Sequence, residues 1–291
     1  MFVLSAAPVS FKDCVCIIPA VSVGNVGQLC IDVLLANLGS RAVRVGMFHD
    51  ENVLPCAGND TVSPSESSGK LSVAVEVFHC AAMQLVLVQQ RTPTQVGRKQ
   101  QYAKNLCDWI ESSDFRQVLL LTSTAAAKRG DAELGAEAFR YFLTHPAAST
   151  EAAVDKLKWK ATGTESAANT SKDSEEKVGQ PLEIPATVLP SPRKQGNIPK
   201  SPRKLRPKVD GGGITKPMFA RCRTQGIELL GVCVFSTDGS NAEEGVSLAM
   251  VVDSYLSLVG RGIGLREQET LSVPGAWSTV FGSQADRALY L

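Results

Sequence analysis

Short apolar runs of strand length constrain the fold of this chain more than any other feature of its sequence. Continuous runs occupy residues 14–18, 85–88, 118–121 and 229–235, and residues 42–48 form a similar run. A continuous run of this kind is typical of a strand that is covered on both faces, as in a parallel sheet with helices on each side. Amphipathic stretches lie between the runs, which predicts an α/β fold. We therefore expect a single doubly wound domain built on a mixed sheet.

One pair of predicted strands is antiparallel, and this pair makes the predicted sheet mixed. Leu71, Val73, Val75 and Val77 alternate with smaller or polar residues, as in a strand that has one wetter face. We expect this strand to form an antiparallel hairpin with the apolar run at 85–88.

Three stretches have the apolar spacing of helices, at residues 26–38, 102–110 and 248–259. The first follows Asn25, a favourable N-cap residue. It also carries a second apolar stripe, so something besides its own sheet should cover it. Internal burial and contact with a heterodimer partner are both open interpretations. The second stripe consists of Ile31, Leu35 and Leu38.

Composition and charge make several classes of protein unexpected. The formal net charge is +1 over 291 residues, so we expect no specific binding of nucleic acid by the molecule as a whole. No stretch approaches ~18 uninterrupted apolar residues, so we expect no membrane span, and the N-terminus lacks the features of a secretory signal. Most of the eight cysteines lie in apolar runs, where a free thiol behaves as a small hydrophobic group. This pattern predicts a reducing compartment, and we expect the protein in the cytoplasm and nucleus.

Residues 147–208 break the alternation of strands and helices. The first part, 150–160, could extend a helix, but the following residues are rich in Ser, Lys, Glu, Thr and Pro and have no periodicity. Such a segment cannot bury enough apolar area to offset the entropy of ordering. We expect a disordered insertion inside one α/β domain, whose two parts are residues 11–146 and 209–291.

The insertion contains a short basic repeat. The sequence Ser-Pro-Arg-Lys begins at Ser191 and again at Ser201, and residues 191–208 include seven basic side chains and no acidic one. The segment could be a solvated linker, a nuclear-localisation signal or a patch that binds polyanions. A further interpretation is proline-directed phosphorylation at Ser191 and Ser201, which would offset part of the charge.

Two glycine groups stand next to predicted elements. Gly24 and Gly27 follow the first strand, where a turn can present N–H groups to a phosphate. Their Gly-x-x-Gly spacing matches neither the dinucleotide-binding nor the Walker pattern, which favours a tight turn with close helix packing. The second group could bind phosphate beside Lys216, although a specialised turn before a helix is favoured. The second group consists of Gly211, Gly212 and Gly213.

Few other residues could take part in catalysis or bind a ligand or metal. A predicted strand ends at Thr122, Ser123 and Thr124. Ligands bind at the carboxyl ends of strands in open α/β sheets, so these hydroxyls could bind a small molecule. Serine and threonine are also common helix caps. No general base is adjacent in sequence, and the three histidines are scattered. Cys14 and Cys16 have a metal-like spacing without a second ligand pair. We expect no catalytic residue, no metal site and no cofactor.

The chain ends in Leu289, Tyr290 and Leu291. A terminal carboxylate is a group that no internal residue can supply, and the neighbouring tyrosine adds a flat apolar body with a polar tip. Together they could fill a pocket with an apolar wall and a cation at its base.

Four segments together resemble the proteasome assembly chaperone family. They are residues 18–29, 139–144, 211–216 and 281–283, and the similarity covers about 11–60, 71–146 and 209–291. The insertion lies outside this similarity, and the residues that lead into the triple glycine, 208–210, are atypical.

The resemblance implies a fold similar to that of nucleoside phosphorylases, without their activity. It implies an obligate heterodimer with proteasome assembly chaperone 1 that binds the outer face of the proteasome α-ring. Such a dimer promotes correct α-ring assembly and keeps activators off immature particles. Leu289, Tyr290 and Leu291 match the family's hydrophobic-Tyr-x tail, which docks in pockets between α-subunits.

Two other functions remain open at this stage. A phosphorylase-like enzyme or small-molecule binder would use Gly24, Asn25, Gly27 and the hydroxyls of Thr122 and Ser123. A basic nuclear factor would act through residues 193–208 and would bind DNA with a steep dependence on salt.

Overall fold

The computed structural model describes residues 2–4, 9–59, 71–129, 139–159, 161, 211–258, 260, 262–264 and 271–277. The predicted phosphorylation sites, Ser191 and Ser201, lie outside these residues, and so does the tail, Leu289, Tyr290 and Leu291. Within the described part, no helix has both the length and the apolar character needed to cross a membrane.

Ten strands and five α-helices make up the described structure. The strands are β1 (Phe2–Leu4), β2 (Val15–Pro19), β3 (Val43–Phe48), β4 (Ala57–Asn59), β5 (Leu71–Val73), β6 (Val75–Cys80), β7 (Leu85–Gln90), β8 (Gln117–Ala125), β9 (Phe139–Thr144) and β10 (Leu229–Ser236). The helices are α1 (Val26–Leu38), α2 (Lys99–Ser112), α3 (Ala148–Lys156), α4 (Thr215–Gln225) and α5 (Ala242–Leu258).

Eight of the described strands form one mixed sheet in the order β1-β3-β6-β7-β2-β8-β10-β9. The four central strands, β7, β2, β8 and β10, run parallel, and every residue of β2 and β7 is buried. The outer strands are antiparallel to their neighbours. The continuous apolar runs therefore form the buried parallel centre, and the predicted mixed sheet is confirmed.

Helices cover both faces of the sheet. Because side chains alternate along a strand, Cys16 and Ile18 pack with α2 and α4 on one face, whereas Val15 and Ile17 pack with α1 and α5 on the other. Strand β2 leads to α1 on one face, and the neighbouring parallel strand β7 leads to α2 on the opposite face. The chain is doubly wound, and its parallel strands stand in the order β7-β2-β8-β10, so its topological switch point lies between β2 and β8.

The second stripe of α1 lies inside the domain. Ile31, Leu35 and Leu38 are 0%, 1% and 2% exposed, and they belong to the core cluster that α1 and α5 share with one face of the sheet. The close approach of α5 to α1 depends on Gly245, where an added Cβ would lie 2.6 Å from the Cβ of Leu29. The interpretation that this stripe faces a heterodimer partner is therefore wrong, and internal burial is confirmed.

The ordered domain is longer than predicted at two places. Helix α3 begins at Ala148, and Ala153 and Val154 pack into the core, so the predicted start of the insertion at residue 147 is wrong. The apolar spacing within 150–160 had indicated this helix. At the other end, β1 pairs with β3 and lies before the predicted domain start at residue 11. A three-residue strand is too short to show a period in sequence.

The alternating segment 71–77 is two strands. Residues 71–73 form β5, which pairs with β4, and β6 begins at Val75 after a bend at Ala74. The predicted wetter face is lost in β6, where Glu76 is buried and pairs with Arg44 at 2.6 Å. The predicted antiparallel hairpin is confirmed between β6 and β7.

Candidate functional site

The motifs singled out in the sequence converge at the carboxyl ends of β2, β8 and β10. The turn after β2 carries Gly24, the end of β8 carries Thr122 and Ser123, and Gly212 approaches from the segment before α4. This is the edge at which ligands bind in open α/β sheets. The contacts within this cluster, which we call the hydroxyl–glycine site, decide what it can do.

Ser22 and Ser123 join the turn after β2 to β8. Their Oγ atoms are 2.8 Å apart, and the backbone N–H of Ser123 donates to Ser22 Oγ at 2.9 Å. Ser123 Oγ also donates to the carbonyl of Val23, and Ser22 Oγ donates to the carbonyl of Ala20 at 2.9 Å. Both hydroxyls are therefore engaged in holding the turn to the sheet.

Thr122 and Thr215 join β8 to the start of α4 in the same way. Thr215 Oγ1 lies 2.8 Å from Thr122 Oγ1 and 2.6 Å from the carbonyl oxygen of Gly212. The backbone N–H of Gly212 donates to the carbonyl of Ser123 at 2.9 Å. Both threonines are fully buried, so a ligand could reach them only after these contacts break.

The glycines bring the backbones too close for a side chain. At Gly213, with φ of 56°, an added Cβ would lie 2.3 Å from the carbonyl oxygen of Val21. At Gly24, with φ of 67°, it would lie 2.4 Å from Nδ2 of Asn241. Gly27 instead brings α1 against β8, where a Cβ would lie 2.8 Å from the carbonyl oxygen of Leu121. These contacts support a turn with close packing, the favoured sequence interpretation, over a phosphate cradle.

Asn25 occupies the predicted N-cap position of α1, but its side chain does not cap the helix. Its backbone is left-handed, with φ of 52°, and its side chain makes no capping hydrogen bond. The short, tight turn that begins at Gly24 forces this conformation, which asparagine tolerates better than most residues. Lys216 lies in the first turn of α4, exposed to solvent.

His79, Cys14 and Cys16 lie away from the carboxyl ends of the strands that form the hydroxyl–glycine site. His79 packs edge-on against Phe11, and burial lowers its pKa. Cys14 and Cys16 face the same side of the sheet, and burial, followed by the neighbouring Cys14, raises the pKa of Cys16. A thiol with a raised pKa is a poor nucleophile and metal ligand. The described residues contain no group of three side chains suited to hold a metal.

An open cleft lies beside the hydroxyl–glycine site, at the carboxyl ends of β2 and β7. Its volume is about 820 Å³, and its walls include Val21, Leu54, residues 93–97 and residues 213–214. Gln90 closes one wall, held by the Tyr102 hydroxyl at 3.2 Å. Sequence reasoning missed this cleft. The signal was present in the Pro- and Gly-containing loop that joins a predicted parallel strand to a predicted helix.

The chain resembles known proteins over nearly its whole length. The sequence model of the PAC2 family matches residues 16–238. The protein named Proteasome assembly chaperone 2 from Nematostella vectensis is 31% identical over 265 residues, which cover 90% of this chain and 98% of that protein. The protein of the same name from Danio rerio is 30% identical, over 97% of each chain.

A solved structure shares the fold. PbaA of Pyrococcus furiosus, described as an archaeal homolog of proteasome-assembly chaperone, has a TM-score of 0.57 with this chain at 10% identity. The similarity covers 99% of this chain and 95% of PbaA.

Proposed function

The chain belongs to the PAC2 family, and from this premise we propose that it is a proteasome assembly chaperone. In this proposal it forms a heterodimer with proteasome assembly chaperone 1, in the cytoplasm and nucleus. The heterodimer binds the outer face of the α-ring, promotes correct ring assembly and blocks premature docking of activators. The observation that carries the proposal is the full-length similarity to relatives that bear a chaperone's name.

The geometry of the hydroxyl–glycine site supports a non-catalytic role. The hydroxyls of Ser22, Thr122, Ser123 and Thr215 are held by one another and by backbone groups. The described residues that line the open cleft include no His, Asp or Glu, and the one titratable side chain among them is that of Lys99. A phosphorylase needs both a phosphate site and an acid or base within hydrogen-bond reach of its substrate.

Under this proposal the tail directs the chaperone to pockets of the α-ring. The carboxylate of Leu291 would pair with a lysine of an α-ring pocket, the ring of Tyr290 would pack on the pocket wall, and Leu289 would fill the entrance. Burial of two apolar side chains contributes roughly 1.5–3 kcal/mol each, whereas association and ordering cost at least ~4 kcal/mol. The tail alone should bind weakly, so the folded body or the partner must supply a second contact.

The heterodimer surface must lie elsewhere than on the second stripe of α1, because that stripe is internal. Co-expression of the chain with tagged proteasome assembly chaperone 1 tests the partnership. We expect a stoichiometric complex that survives size-exclusion chromatography at micromolar concentration. Separate elution of the two chains would contradict the heterodimer.

Calorimetry tests the alternative function. Titration with phosphate and with nucleosides should give no binding at micromolar ligand, because the buried hydroxyls are already bonded. Clear micromolar binding would support the phosphorylase-like binder instead.

A further inference from the structure

The open cleft at the carboxyl ends of β2 and β7 is a cavity that the proposed chaperone function leaves unassigned. Doubly wound folds usually bind ligands at the switch point, which is here the crevice between β2 and β8, and the chain itself fills that crevice. Gly212 donates its N–H to the carbonyl of Ser123 at 2.9 Å, and an added Cβ at Gly212 would lie 2.6 Å from the Cβ of Ser22. Among the described residues the neighbouring cleft remains open, and its volume of about 820 Å³ falls within the roughly 300–1,000 Å³ that is usual for ligand sites.

Hydrogen bonds between loops hold the walls of this cleft in place. The N–H of Leu54 donates to the carbonyl of Pro93 at 3.1 Å, and the N–H of Gln95 donates to the carbonyl of Asn52 at 2.8 Å. On another wall, the side chain of Ile214 is packed in the core. The cleft is therefore formed before any ligand binds, as is usual for small-molecule sites.

The cleft exposes apolar side chains to solvent. Val96 is 102% exposed and Leu54 is 43% exposed, and they are among the large apolar side chains that the described part of the chain leaves exposed. An aliphatic ligand that covers them removes apolar area from water, which is favourable. The apolar residues of the described lining are Val21, Leu54, Pro93, Val96 and Ile214.

The amide groups of the two lining glutamines are already hydrogen-bonded within the protein. Gln90 Nε2 donates to the carbonyl of Thr92 at 2.8 Å, and Gln90 Oε1 accepts from the hydroxyl of Tyr102 at 3.2 Å. Gln95 Nε2 donates to the carbonyl of Glu51 at 2.7 Å. These amides do not require polar partners on a ligand, so an apolar body can lie against them without leaving a buried polar group unsatisfied.

The charge in the cleft has one sign. Lys99, the first residue of α2, is the one charged side chain among the described residues that line it, and it takes part in none of the ion pairs of the described structure. The first N–H groups of α2 add partial positive charge beside Lys99, because the first turn of this helix carries no acidic residue. The cleft therefore favours an anionic group on its ligand.

We propose that the cleft binds an aliphatic carboxylate, a molecule that combines a hydrocarbon chain with one anionic head. The hydrocarbon covers Val96 and Leu54, and the carboxylate pairs with the ammonium group of Lys99 in a charge-assisted contact. The described lining has no aromatic ring on which a base could stack and no carboxylate to receive sugar hydroxyls, so a nucleoside fits poorly. Inorganic phosphate lacks the apolar body.

Isothermal titration calorimetry of the full-length chain with decanoate, below the concentration at which decanoate forms micelles, tests the proposal. We expect one site per chain with a dissociation constant on the order of 10–100 μM, since a ligand of this size reaches only part of the efficiency of the best small ligands. Octanoate is shorter by two methylene groups and should bind about tenfold more weakly, because each buried methylene contributes to the transfer from water.

The charge is tested by Lys99→Gln, which should weaken decanoate binding about fivefold because the carboxylate loses its partner. Lys104→Gln is the matched control on the same helix. Lys104 pairs with Asp108 and does not line the cleft, so the affinity for decanoate should not change.

The apolar contact is tested by Val96→Ser, which should weaken binding about threefold. The side chain of Val96 is fully exposed, so this change should leave the melting temperature as it is. Val273→Ser is the matched control, because Val273 is 48% exposed and lies outside the lining of the cleft. It should bind decanoate with unchanged affinity.

The proposal is overturned if decanoate gives no binding heat at millimolar concentration, if Lys99→Gln or Val96→Ser binds as tightly as the unaltered chain, or if the controls lose as much affinity as the variants. Melting temperatures of all four variants separate a loss of affinity from a loss of folding. Because the titration contains no partner chain and no proteasome subunit, each of these results leaves the proposed chaperone function standing.

Discussion

Individual glycines and hydroxyls in this molecule hold the backbone together at the carboxyl edge of the sheet. Gly213 brings the segment before α4 onto the turn after β2, and Thr122 and Thr215 fix that contact with a hydrogen bond of 2.8 Å. Because ligands bind at this edge in open α/β sheets, the sequence already indicated the residues that the structure brings together there. It could not show that they bond to one another, because Thr122 and Thr215 are 93 residues apart in sequence.

Gly213→Ala tests whether the close approach at Gly213 stabilises the domain. A Cβ at this position meets the carbonyl oxygen of Val21 at 2.3 Å and also requires positive φ, so we expect a loss of about 2–4 kcal/mol in the free energy of unfolding. Urea unfolding, followed by tryptophan fluorescence, measures it.

Gly226→Ala is the control, because Gly226 has φ of 73° with nothing within 4 Å of an added Cβ. It should cost only the strain of positive φ, about 1 kcal/mol. Equal costs for the two variants would show that close approach at Gly213 adds nothing.

Among the elements, α1 is the one whose environment the sequence left undecided. Its two apolar stripes predicted two coverings, and periodicity alone cannot distinguish a second helix of the same chain from another subunit. The structure supplies α5, which follows the insertion and lies more than 200 residues later in the chain. The parallel strands were predictable because burial on both faces leaves a continuous apolar run, whereas β1 is too short to leave any pattern.

Leu35→Asp distinguishes internal burial of the Leu35 side chain from contact with another subunit. A carboxylate without a partner in this core should cost several kcal/mol, so we expect loss of cooperative urea unfolding in the purified chain. Leu35→Met conserves volume and should cost less than about 1.5 kcal/mol. A Leu35→Asp chain that unfolds normally but no longer binds its partner would contradict the internal position of Leu35.

The molecule as a whole combines one α/β domain with an insertion between α3 and α4. The predicted start of the insertion, at residue 147, was too early, because the apolar side chains of α3 are few and spaced over only nine residues. Most of the predicted insertion lies outside the described residues. The domain resumes at the triple glycine, whose contacts with the turn after β2 explain why it stands at that point of the chain.

Deletion of residues 165–205 tests whether the insertion contributes to the fold or to chaperone activity. We expect the shortened chain to keep its melting temperature within a few degrees and to co-purify with proteasome assembly chaperone 1. The physical reason is that the segment is too polar to bury apolar area that stabilises the domain. An unfolded product, or one that no longer binds the partner, would refute this expectation.

The most direct test of chaperone function is the affinity of the heterodimer for purified α-subunits, measured with the full-length chain and with a version that ends at Ala288. We expect binding by the full-length heterodimer and an affinity at least about tenfold weaker after truncation, because the tail loses both its carboxylate and its apolar contacts. A full-length heterodimer that shows no affinity for α-subunits at micromolar concentration would contradict this expectation.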